Sequence, residues 1–100
     1  MKITYRESGG FAGLVKGVEI DTSNLNHDEA QNVVKMVADS GIKGEVNLTS
    51  PAQRDVPQYD ICIESENGVE RRQLDFSHVT DDMKPLLKYL KRKSAIQQME

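Results

Sequence analysis

Two histidines, one cysteine and a cluster of glycines are the residues of this 100-residue chain whose types invite catalysis. His27 and His78 belong to no His-Glu-x-x-His pair or other spacing that sets two metal ligands on one helix face. His27 reads as an exposed first-turn helix residue, and His78 as part of the link before the last helix. Cys62 falls inside an alternating strand with no helix N-terminus close in sequence to favour its thiolate, so a packing or solvent-facing thiol is expected. Gly9, Gly10 and Gly13 are followed by a strand rather than a helix and by no Lys-Ser/Thr pair, so they form no phosphate loop. No catalytic constellation emerges. The chain is expected not to be an enzyme and to carry neither a cofactor nor a metal of its own.

Recognition chemistry is better represented. Ser8-Gly9-Gly10-Phe11-Ala12-Gly13-Leu14 holds an aromatic between glycines. Phe11 either projects as an apolar anchor for a partner or tucks over an open end of the fold, and the residues alone leave both readings open. A second segment, Arg54-Asp55-Val56-Pro57, offers a carboxylate on a proline-stiffened stretch, although an exposed loop aspartate is most often simply solvated. Lys84, Lys88, Lys91, Arg92 and Lys93 form a basic run. The negative end of a helix dipole explains it, and the net charge of −3 has the wrong sign for a general nucleic-acid binder.

The elements that must position these loops follow from hydrophobic spacing. Residues 2–8 and 14–20 alternate with period two, and the glycine-rich stretch between them makes a hairpin. Setting Ile3 and Tyr5 on the face of Val18 and Ile20 pairs Tyr5 with Val18 and Ile3 with Ile20. A helix then starts at an Asn26 cap with Glu29 three residues on, Leu25 able to staple onto Ala30. It carries a stripe of Ala30, Val33, Val34, Val37 and Ala38 and stops at Gly41, after which Ile42 folds back on Val37. Val46 and Leu48 suggest a short extra strand near 45–49, and 50–57 reads as loop.

A second hairpin alternates Tyr59, Ile61 and Ile63, turns at Asn67-Gly68, and returns with Leu74 and Phe76. That spacing pairs Ile63 with Arg72, Ile61 with Leu74 and Tyr59 with Phe76. The last helix starts near Thr80-Asp81-Asp82, tolerates Pro85 in its first turn, and buries Val79, Met83, Leu86, Leu87 and Leu90. Residues 94–100 are expected to fray. The order ββαββα predicts an α+β fold: a four-stranded antiparallel sheet of two hairpins with two helices on one face.

Length and composition fit one small domain over residues 1–100. Leu, Ile, Val and Phe together supply 24 of the 100 residues, enough for a core. No segment is apolar enough to span a membrane, the N-terminus lacks a signal-like apolar stretch, and the single cysteine excludes an internal disulfide. A cytoplasmic monomer without a nucleic-acid or membrane partner is the expectation.

Arg6-Glu7-Ser8-Gly9-Gly10-Phe11-Ala12-Gly13-Leu14, followed by Val18-Glu19-Ile20-Asp21, closely resembles the N-terminal hallmark of the emfourin family. Asp55 four residues before Tyr59, Asn67-Gly68, and Pro85-Leu86-Leu87-Lys88-Tyr89-Leu90 also look like the family pattern. The likeness spans most of residues 2 to 91 and departs at Val56-Pro57, where an arginine and an aromatic are common in the family. Emfourins are small bacterial protein inhibitors of protealysin-like, thermolysin-type zinc metallopeptidases.

The resemblance therefore implies an inhibitor that blocks such a peptidase's cleft with two loops. Ser8, Gly9, Gly10, Phe11, Ala12, Gly13 and Leu14 would enter the substrate pockets, and Arg54, Asp55 and Val56 would lie beside them. Asp55 would turn its carboxylate toward the target's zinc. The rival reading is a non-inhibitory adaptor or antitoxin-like module that uses the same loops. Both uses require the two loops to lie at one end of the sheet.

Overall fold

A computed structural model describes residues 1–8, 16–48, 57–66 and 68–96, with Ala95 and Ile96 described by backbone alone. The strands are β1 (Lys2–Ser8), β2 (Lys16–Asp21), β3 (Glu45–Leu48), β4 (Gln58–Ser65), β5 (Gly68–Asp75) and β6 (Ala95–Ile96). The helices are α1 (His27–Ser40) and α2 (Lys84–Lys93). The class is α+β, with one six-stranded sheet in the order β3-β5-β4-β1-β2-β6.

That sheet holds the two expected hairpins and differs from the expected four strands in two ways. The two hairpins lie side by side through β1 and β4, antiparallel, with Ile3 opposite Ile63 and Tyr5 opposite Ile61. The short strand foreseen near 45–49 is present as β3, but it joins β5 in parallel, so the sheet is mixed. Ala95–Ile96 pairs with β2 at the other edge where fraying was expected, while residues 97–100 lie outside the described residues.

Registers follow from which side chains must share the buried face. Ile3 lies opposite Ile20 and Tyr5 opposite Val18, as the alternation requires. The second hairpin is shifted by two residues from its expected pairing: Tyr59 faces Leu74, Ile61 faces Arg72, and Ser65 faces Gly68. An even shift leaves every side chain on its own face, so the apolar pattern tolerates either register. Gly68, at φ 124°, begins the return strand instead of ending the turn, and Asn67 lies outside the described residues. Phe76 consequently passes beyond the sheet.

Along β1, β4 and β2, the residues Ile3, Tyr5, Tyr59, Ile61, Ile63 and Ile20 turn to one face and meet Val33 and Val37 of α1 and Leu86, Leu87 and Leu90 of α2. Asn26 caps α1, its Oδ1 accepting from the Glu29 N–H at 2.8 Å, and Gly41 ends the helix in the left-handed region at φ 77°. The expected stripe is rotated: Val33 and Val37 are buried, but Val34 is 44% exposed and Ala38 faces solvent. Ile42 is buried after the cap, its N–H donating to Ser40 Oγ at 3.3 Å.

The last helix is divided. A 3-10 turn over Asp81–Met83 precedes α2, and Pro85 occupies the first turn, where a missing N–H costs no helical bond. Tyr89 joins its buried face, while Val79 is only partly covered. Tyr89 Oη donates to Glu29 Oε2 at 2.7 Å and so ties α2 to the first turn of α1. Glu29 is thus spent on the neighbouring helix.

Candidate functional site

Strand direction decides where the recognition segments emerge. β1 ends at Ser8, which is exposed and lies opposite Gln58, the first residue of β4. β2 begins at Lys16, paired with Glu7, one residue before Ser8 on β1. β3 ends at Leu48, level with Leu74 near the end of β5. Ser8, Lys16, Leu48, Gln58 and Asp75 therefore lie along one end of the sheet. Residues 9–15 and 49–56 both leave and rejoin the sheet there, with the roots Ser8 and Gln58 one strand spacing apart, about 5 Å.

The predicted loop residues Gly9, Gly10, Phe11, Ala12, Gly13, Leu14, Arg54, Asp55 and Val56 lie outside the described residues; Ser8 alone among the predicted contacts is described. What the fold brings together is the set of roots.

Beneath this end lies a braced floor. The rings of Tyr5 and Tyr59 stack with centroids 6.3 Å apart. Tyr5 Oη donates to Glu7 Oε1 at 2.8 Å, and burial, followed by the Glu7 carboxylate, pushes its phenol well above the ordinary value. Lys91 Nζ donates to Tyr59 Oη at 3.0 Å and sits 4.8 Å from the ring centroid. Lys93 pairs with Glu29 at 3.6 Å and, like Arg92, lies 5.8 Å from the Tyr89 ring. The basic run is thus partly consumed inside the fold, through contacts between residues distant in sequence.

Next to Gln58 the sheet ends in a turn that sequence reasoning missed. Asp75 is fully buried, and its Oδ1 accepts from the Ser77 N–H at 3.0 Å, from Ser77 Oγ, and from His78 Nδ1 at 2.8 Å. The hydrogen bonds from Ser77, then from His78, hold the carboxyl below the ordinary carboxylate range. Phe76 N–H donates to the Pro57 carbonyl at 3.0 Å, which fastens the 3-10 turn Phe76–His78 to the residue preceding β4. Phe76, expected in the core opposite Tyr59, is 59% exposed. The missed signal is Asp-x-Ser, an Asx-turn pattern that also ends β2, where Asp21 Oδ1 accepts from the Ser23 N–H at 3.0 Å.

The remaining sequence candidates are His27 and Cys62. His27 is exposed in the first turn of α1. Cys62 lies on the face of the sheet opposite the helices, beside a hollow of about 460 Å³ lined also by Thr4, Arg6, Glu19, Asp60 and Arg71. Burial and the nearby Glu64 push its thiol up, away from a nucleophile's range. Arg71 and Asp60 close on each other in a two-pronged pair at 3.0 and 2.7 Å. Among the described residues no group of His, Cys, Asp and Glu is arranged to hold a metal ion, and no helix is long and apolar enough to cross a membrane.

The fold defines a small α+β domain whose single sheet sets the roots of residues 9–15 and 49–56 at one end. The family model Emfourin matches residues 5–91, and the chain belongs to the Emfourin family. Comparisons with curated proteins and with solved structures return no match.

Proposed function

We propose that this protein inhibits a thermolysin-like, protealysin-like zinc metallopeptidase by filling its active-site cleft with residues 8–14 and 54–56. Membership of the Emfourin family supports the inhibitory role. The observation that carries the two-loop reading is the pairing of Ser8 with Gln58, which sets the roots of both segments on neighbouring strands at one end of the sheet.

The chemistry follows from what a zinc peptidase leaves open. Its metal keeps one position for water or substrate, and a carboxylate oxygen binds zinc at about 2.0–2.2 Å. Asp55 takes that position, displaces the water that would be activated, and offers no bond to cleave. Phe11 and Ala12 fill the substrate side-chain pockets, where an apolar tip gains by leaving water.

Titrating the protein against a purified thermolysin-like peptidase tests the proposal. Stoichiometric loss of peptidase activity is expected. Phe11→Ala and Asp55→Ala should each raise the inhibition constant about tenfold or more, the effect of losing an interface anchor. No inhibition by the wild type rejects the function, and full-strength inhibition by both variants rejects the residue roles.

A further inference from the structure

The 3-10 turn Phe76–His78 stands between the roots of residues 49–56. β5 lies between β3 and β4 in the sheet, so the segment leaving Leu48 rejoins at Pro57 on the far side of the strand that ends at Asp75. Phe76 is bonded through its N–H to Pro57, and it is the most exposed of the large apolar side chains among the described residues, at 59%.

Its exposure is built in. The alternation that buries Leu74 would carry Phe76 inward had the strand continued. Instead Asp75 gathers the Ser77 N–H, Ser77 Oγ and His78 Nδ1 on one oxygen and bends the chain away. The arrangement is costly, because Asp75 Oδ2 is buried with no hydrogen-bond partner among the described residues. His78 is held by its Nδ1 contact with its side chain 43% exposed. A fold that buries a carboxylate to hold a phenylalanine in water uses the ring outside the core.

The geometry points to Phe76 as a third, rigid contact of the inhibitory end, an apolar anchor that packs against the surface of the same zinc peptidase beside its cleft. This inference rests on the proposed inhibition and adds to it a residue that neither loop contains. The two loops address the cleft, whereas the turn abuts the rim. An aromatic already fixed in a turn loses little conformational freedom on contact, which is what makes anchors of this kind effective.

The inhibition constants of Phe76→Ala and Val69→Ala, measured against the same peptidase as the wild type, test it. Val69 is comparably exposed, at 53%, but lies at the opposite end of the sheet, next to Gly68. Phe76→Ala should weaken inhibition about tenfold with an unchanged thermal midpoint, and Val69→Ala should leave inhibition as it is. If Phe76→Ala lowers the midpoint, Phe76→Lys is read in its place, since a lysine stem is stable at an exposed position.

Undiminished inhibition by the Phe76 variant overturns the third contact while the proposed function stands. An equal loss in Val69→Ala overturns it as well, because the contact would not be confined to the loop end. A wild type that fails to inhibit removes the function and this contact together.

Discussion

Asp75 shows what one residue does to the end of a strand. Its carboxylate accepts three hydrogen bonds on Oδ1 and bends the chain out of the sheet. Because those bonds favour the charged form, its folded pKa lies below the unfolded value, near 3.9. A depressed carboxyl contributes stability above the unfolded pKa, and that contribution is lost as pH falls through the folded one. Asp75→Asn should therefore lower the urea midpoint at pH 7. The gap between wild type and variant should close as acidification carries the pH below the ordinary carboxylate range and through the folded value. A gap that persists undiminished in acid would mean the side chain acts through shape rather than charge.

At the scale of elements, α1 is the clearest case of local chemistry setting boundaries. The Asn26 cap and the left-handed Gly41 bracket the helix as their positions in the sequence require. A Cβ at Gly41 would meet nothing within 4 Å, so the cost of Gly41→Ala is conformational rather than steric crowding by neighbours. Holding an L-residue in the left-handed region costs about 1 kcal/mol, and a domain of this size should lose roughly 4–8 °C in thermal midpoint. Calorimetry reads that directly.

The second hairpin shows the limit of the same reasoning. Two registers that differ by two residues keep identical faces, so side-chain type cannot choose between them. The choice falls to the closing pair Ser65–Gly68 and to the Asx turn that ends β5 at Asp75. The rotated face of α1 has a similar origin. Val34 and Ala38 satisfy helical spacing as well as Val33 and Val37 do, and only the packing partner decides which edge of the stripe is covered.

For the molecule as a whole, the tyrosines record how the layers are joined. Tyr89 links the two helices through Glu29, and burial, then that bond, raises its phenol from the ordinary 10 to about 12. Tyr5, beneath the loop end, is raised by burial and by Glu7. A group whose folded pKa is raised contributes fully below its unfolded pKa and loses that contribution as pH climbs through the folded value. Stability should accordingly fall between pH 10 and 12, and Tyr89→Phe should flatten part of that fall in urea titrations followed across the range. An unaltered alkaline slope would show that the Tyr89–Glu29 contact does not couple the helices to folding.

Sequence alone determined what depends on near neighbours: the α+β class, the helix caps, the β1–β2 register, the basic run and the hallmark that placed the chain among the emfourins. Those features rest on spacing, capping and turn chemistry, which act within a few residues. Tertiary structure alone decided the parallel docking of β3, the two-residue shift of the second hairpin and the use of Lys91 and Glu29 as partners for distant tyrosines. It also decided that Ser8 and Gln58, fifty positions apart, share one end of the sheet. These depend on which distant surfaces exclude water together, a quantity that hydrophobic periodicity leaves degenerate.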